Sequence, residues 1–140
     1  MATLSVDTSV PAPPPNPCVP RPAMRTPSID QVDAGNEAMV TGDWDLALDR
    51  YRAAITIDIC NGFAWSSLAD ALVQTGHPRD ALPAARAATE LLPRQPHGWV
   101  VLGRAAAASG DPTAARSALE QALTLQPGHP GAAAALAGLR

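Results

Sequence analysis

Apolar and small residues recur along this chain on a register of 34 residues, and each cycle is broken at the same place by a glycine, at Gly42, Gly76 and Gly110. Small residues form three columns on that register: Gly35, Ala69 and Gly103; Ala47, Ala81 and Ala115; Ala54, Ala88 and Ala122. Larger apolar residues form others: Trp65 with Trp99, Leu68 with Leu102, and Ile57, Leu91 and Leu125. A fixed period of this length marks stacked helix–turn–helix units that bury their apolar faces only against their neighbours. Small residues let two helices approach closely, and the large ones fill the space beside the crossing.

The units run over residues 28–61, 62–95 and 96–129, and each reads as two helices. The first helix ends at the repeated glycine, which can take the left-handed conformation that a helix C-terminus needs. The second starts just after it. Asp111-Pro112 is a strong start, since the Asp side chain caps exposed amides and Pro fits the first turn. Asp43-Trp44 and His77-Pro78 hold the same positions, and the second helices of the latter two units end before Pro93 and Pro127. Pro83 falls about one turn into a predicted helix, which should therefore start after Pro78 or bend. Residues 130–140 read as one more, Ala-rich helix that covers the third unit, with fraying expected at Leu139 and Arg140.

Residues 1–27 hold eight of the 15 prolines, most of them in PAPPPNPCVPRP. Proline fixes φ and lacks a backbone donor, so this stretch favours extended polyproline II and reads as a disordered linker. The PxxP spacings in it are what any Pro-dense run produces.

Here the units resemble the tetratricopeptide repeat (TPR) family, whose pattern is Trp, Leu, Gly, an aromatic, Ala, an aromatic, Ala and Pro. The third unit matches with Trp99, Leu102, Gly103, Ala115, Ala122 and Pro127, and the second with Trp65, Leu68, Ala69, Ala81, Ala88 and Pro93. The first keeps Gly35, Ala47, Tyr51 and Ala54 but has Gln31, Ala34 and Ile59 where Trp, Leu and Pro are usual. The resemblance implies an all-α, right-handed helical-repeat solenoid of three units plus a capping helix, with the first helix of each unit facing a concave groove.

Composition and charge narrow the function. Hydrophobic residues make up 46% of the chain but aromatics only 4%, so the helices should pack closely around a thin core. The net charge is −3, all ten basic residues are Arg, and residues 28–61 alone carry seven acids against two bases. No basic stripe exists for nucleic acid. There is no glycine-rich phosphate loop, no Ser-centred elbow and no His-Glu zinc motif, so neither an enzyme nor a bound cofactor is expected. His97 and His129 could meet at a unit junction, but two His make a poor metal site. Cys18 and Cys60 have no metal spacing and make no disulfide framework, which leaves a reducing compartment as the default. The N-terminus lacks the pattern of a signal peptide and no apolar run reaches membrane length, so a cytoplasmic protein with no membrane contact is expected.

The candidate site residues are those the resemblance places in the groove: Ile29, Val32, Asn36, Met39 and Val40 in the first unit. Phe63, Ser66, Asp70, Val73 and Gln74 follow in the second, and His97, Val100, Arg104, Ala107 and Ala108 in the third. In the column Asn36, Asp70, Arg104, Asn36 would hydrogen-bond a peptide backbone and Arg104 would engage a carboxylate, unless Asp70 and Arg104 pair with each other. Phe63 and Val100 would be core instead of groove if the array closes over them. A known family use is a clamp for the acidic C-terminus of heat-shock chaperones, which needs Lys, Asn, Asn, Lys and Arg. This chain has Val32, Asn36, Ser67, His97 and Val101 at those positions, and only Asn36 fits. The leading reading is a non-catalytic adaptor that binds a peptide or helical segment of another protein in its concave groove. The alternatives are a small bacterial chaperone of the type III translocator kind and a structural subunit of a larger assembly.

Overall fold

The computed structural model describes residues 6–139, and among them it contains seven helices and no strand. They are α1 (Pro22–Val40), α2 (Trp44–Ile57), α3 (Gly62–Gln74), α4 (Pro78–Leu91), α5 (Pro96–Ala108), α6 (Pro112–Leu125) and α7 (Pro130–Ala137). Residues 1–5 of the expected linker and residue 140 of the expected last helix lie outside the described residues.

Each turn between the helices of a pair follows from its glycine. Gly42, Gly76 and Gly110 have φ of +80°, +85° and +87°. That conformation lets the next residue's amide reach back to the helix: Asp43 N donates to Ala38 O at 2.8 Å, His77 N to Leu72 O at 2.8 Å and Asp111 N to Ala106 O at 2.9 Å. The closing residue then opens the second helix. Asp43 Oδ1 accepts from Leu46 N at 3.2 Å, and Asp111 Oδ1 from Ala114 N at 3.0 Å. His77 makes no such side-chain bond, and there Pro78 alone sets the first turn. α4 runs unbroken from Pro78 through Pro83, which is exposed. α7 ends at Ala137, before Leu139.

The helices form two layers. α1 packs on α2, α3 on α4 and α5 on α6, while α1, α3, α5 and α7 also touch in succession. α2, α4 and α6 make no such contacts with one another, so the odd-numbered helices crowd together and form the inner, concave layer. The small-residue columns sit at the crossings. Ala47, Ala81, Ala115, Ala54, Ala88 and Ala122 are all buried, around a core of Leu48, Tyr51, Ile55, Trp65, Leu68 and Leu72. A Cβ on Gly35 would come within 2.5 Å of Tyr51 Cε1, and one on Gly103 within 2.5 Å of Leu119 Cγ.

The N-terminal region differs from the expectation at residues 1–27. α1 starts at Pro22, ahead of the boundary at residue 28, and carries Pro27 within it. Residues 6–21 form no helix, but they lie as a strap against the first unit. Val6 and Val10 pack on the core, and Arg52 Nη1 donates to Asp7 O at 3.0 Å. Cys18 and Cys60 form a disulfide with their Cα atoms 5.7 Å apart. The reading of two unpaired cysteines is corrected here. They are 42 residues apart in sequence and meet only because the strap folds back to the α2–α3 turn. The bond also removes the ground for taking a reducing compartment as the default.

The Gly35 crossing gives a direct test. Gly35→Ala places a methyl into the ring of Tyr51, which is fully buried. The variant should lose about 1–3 kcal/mol of stability in urea denaturation despite alanine's better helix propensity. An unchanged midpoint would show that the crossing tolerates wider spacing.

Candidate functional site

The groove columns separate by burial. Val32, Ser66 and Val100 stand on one register, and all three are buried, with exposures of 8%, 5% and 1%. Their expected exposure is corrected, although Val32 and Ser66 still line the clefts beside Phe63. Ser66 Oγ is spent on Phe63 O at 3.1 Å. The register three residues earlier, Ile29, Phe63 and His97, is exposed, and Phe63 leaves 56% of its surface open. Val73 is half-buried against the core. Val40 and Gln74 are exposed at helix ends.

Phe63 is held open from beneath. Asn61 caps α3, its Oδ1 accepting from Phe63 N at 3.1 Å and Ala64 N at 3.3 Å. Asn61 Nδ2 donates to Ser28 Oγ at 2.9 Å, and Ser28 Oγ donates to Ala54 O at 2.8 Å. This chain of bonds joins α2, α1 and the start of α3, and Ser28 is fully buried within it. It fixes the backbone that carries the exposed ring. The groove columns did not include Ser28 or Asn61. An Asn just before a helix is a capping signal that could have found the second.

Two cavities flank this ring. One, of about 340 Å³, is lined by Ile29, Val32, Asp33, Asn36, Asn61, Phe63 and Ser67. The other, of about 350 Å³, is lined by Ile29, Phe63, Leu92, Arg25, Asp58, Cys60, Asn61, Gly62 and, from the strap, Pro20. They share Ile29, Asn61 and Phe63, so they form one trough with the aromatic ring standing in it. A narrower cleft continues past Ser66 and Leu92 to His97 and Gly98.

The column Asn36, Asp70, Arg104 is not a single device. Tyr51 Oη donates to Asn36 Oδ1 at 2.7 Å and lies 2.7 Å from Met39 Sδ, so Asn36 and half-buried Met39 both back onto the core tyrosine. The Asn36 amide stays available as a donor. Asp70 is half-buried, and no ion pair joins it to Arg104 among the described residues. Arg104 is exposed and lies at the start of α7, where a Cβ on Gly131 would sit 3.2 Å from its Nη2. It lines none of the cavities around Phe63. Ala107 and Ala108 lie at the end of α5 and add no polar group. Among the described residues no cluster of three His, Cys, Asp or Glu could hold a metal, and no helix is long and apolar enough to cross a membrane.

A family model described as "Tetratricopeptide repeat" matches residues 67–130. The heat shock protein sti1 homolog of Schizosaccharomyces pombe is 36% identical over 89 residues, which are 64% of this chain and 15% of that protein. This chain thus spans a small part of that relative's length. The fold is similar to the Arabidopsis OM64 TPR domain, with a TM-score of 0.79 at 21% identity over 84% of this chain and 97% of the other. It is also similar to the second TPR domain of human RPAP3, solved in complex with the HSP70 peptide SGPTIEEVD. That match has a TM-score of 0.78 at 22% identity over 83% of this chain and 97% of the other.

Tyr51 reports on the floor of the groove. Burial first, and the nearby charge of Asp70 second, push its pKa up to about 12 from 10.0. A raised pKa means that the unfolded chain ionises first. Stability tied to Tyr51 is therefore complete below pH 10 and is lost as the pH rises toward 12. Tyr51 is the single tyrosine, so tyrosinate absorbance should follow it alone, with a midpoint near 12. A midpoint at the ordinary value of 10.0 in the folded protein would show that the ring is not buried.

Proposed function

The chain is a tetratricopeptide repeat protein, and on that premise we propose that it is a non-catalytic adaptor whose concave trough binds an extended segment of a partner protein. The observation that carries this reading is an aromatic ring, Phe63, held 56% exposed between two cavities by a cap that is itself anchored in the core. An extended segment places alternate side chains on one side, so two of them can drop on either side of Phe63. Asn36 is positioned to bond the segment's backbone.

The side chains around the trough favour an occupant that is apolar and not strongly acidic. Asp33 lines one cavity and Asp58 the other, and Arg25 is the cation at the second. The human RPAP3 domain was solved with an acidic peptide, whereas this chain has Val32, Ser67, His97 and Val101 where a clamp for acidic C-termini needs its Lys, Asn and Arg. The net charge of −3 and the lack of a basic stripe likewise favour a protein occupant over nucleic acid. A cytoplasmic location belongs to the same reading. Disulfides are rare in that setting and, where present, are usually transient and catalytic or redox-sensing.

The test is a random peptide library displayed against the oxidised chain. Enriched peptides should carry a pair of apolar residues. Phe63→Ala should bind them more than about tenfold more weakly, because burying a Phe side chain contributes about 1.5–3 kcal/mol. Its melting temperature should stay close to that of the parent, since the ring is exposed. Enriched peptides that bind Phe63→Ala as tightly as the parent would place the site elsewhere.

A further inference from the structure

The strap does more than lie on the surface: it supplies a wall of the site. Pro20, from the strap, lines the 350 Å³ cavity together with Arg25 of α1, Leu92 and Cys60. Pro20 lies midway between Cys18 and Pro22, the first residue of α1, so the disulfide to Cys60 and the helix together fix where that wall stands. The strap's other ties hold its far end: Arg52 Nη1 donates to Asp7 O at 3.0 Å and to Ser9 O at 3.4 Å, and half-buried Val6 and Val10 pack on the core. The disulfide is the tie nearest Pro20. Both cysteines are half-buried at the surface, within reach of an attacking thiolate.

We propose that the Cys18–Cys60 disulfide is a redox switch on the docking trough. The inference rests on the reading of the trough as the binding site. With the bond closed, Pro20 stands as a wall against which an apolar side chain of the partner packs. A dithiol reductant opens it. One thiolate of the reductant attacks a cystine sulfur to form a mixed disulfide and expels the other cysteine. The second thiol of the reductant then attacks the reductant's first sulfur and expels the cysteine bound to it, leaving Cys18 and Cys60 as thiols and the reductant as a cyclic disulfide. Two electrons and two protons pass from the dithiol to the two cysteines. The freed strap then moves away from Leu92 and Phe63, and the cavity loses one side.

Phe63 is the single phenylalanine, so para-fluorophenylalanine labels this site alone. Anilinonaphthalene sulfonate serves as the ligand probe, its rings suited to the apolar cavity and its sulfonate to Arg25. On adding dithiothreitol to the full chain, the fluorine resonance should shift and the dye should bind about threefold or more weakly. Cys18→Ser should show the reduced resonance and the weaker binding without reductant, and dithiothreitol should not change it further. Circular dichroism on each sample verifies that the helices persist, and the wild-type titration stands by itself if Cys18→Ser does not fold. An unmoved resonance with equal dye affinity in both redox states, while Phe63→Ala still binds the dye poorly, overturns the switch alone. If Phe63→Ala binds the dye as well as the parent, the trough reading falls and the switch with it.

Discussion

The closeness with which neighbouring helices can approach governs this molecule. Gly35 lies under the ring of Tyr51 and Gly103 under Leu119, with no room for even a methyl at either. The three alanine columns do the same work at the other crossings. A chain with few aromatic residues gains its core from this close contact more than from large side chains. The same closeness decides the functional face. Inner helices packed this tightly bury the register of Val32, Ser66 and Val100, and they leave the register of Ile29, Phe63 and His97 standing out from the concave wall.

Helix order and unit boundaries are legible in the sequence because they depend on local chemistry repeated three times. A left-handed glycine followed by a capping residue or a proline is enough to end one helix and begin the next, and Gly42-Asp43 and Gly110-Asp111 do so with the expected bonds. Burial within the groove is harder to read. Position in a unit places Val32 and Phe63 on the same side of their helices. Only the distance to the next inner helix separates the two, and no single helix encodes that distance. Arg104 shows the same limit from the other end: it is on the expected face, but its guanidinium lies toward the start of α7 and away from Phe63.

The strap was the least legible part. Proline density excludes helix and ladder, and composition alone makes such a segment a linker. What holds residues 6–21 in place is a long-range bond between Cys18 and Cys60, supported by Arg52. A pairing across 42 residues leaves no periodic trace. Its effect is local to the trough. The strap adds Pro20 to the lining of one of the two cavities of similar size between which the Phe63 ring sits. The relay from Ala54 through Ser28 to Asn61 plays the complementary part from within, tying the base of α3 to the first unit.

The central claim is that partner recognition centres on an exposed ring in the concave layer. A crystal structure of the oxidised chain with a library-selected peptide tests it most directly. The account predicts an extended segment lying over α1 and α3, with one apolar side chain in each cavity beside Phe63 and its backbone bonded to Asn36. A peptide seated on the outer layer formed by α2, α4 and α6, with the Phe63 ring still open to solvent, would contradict it.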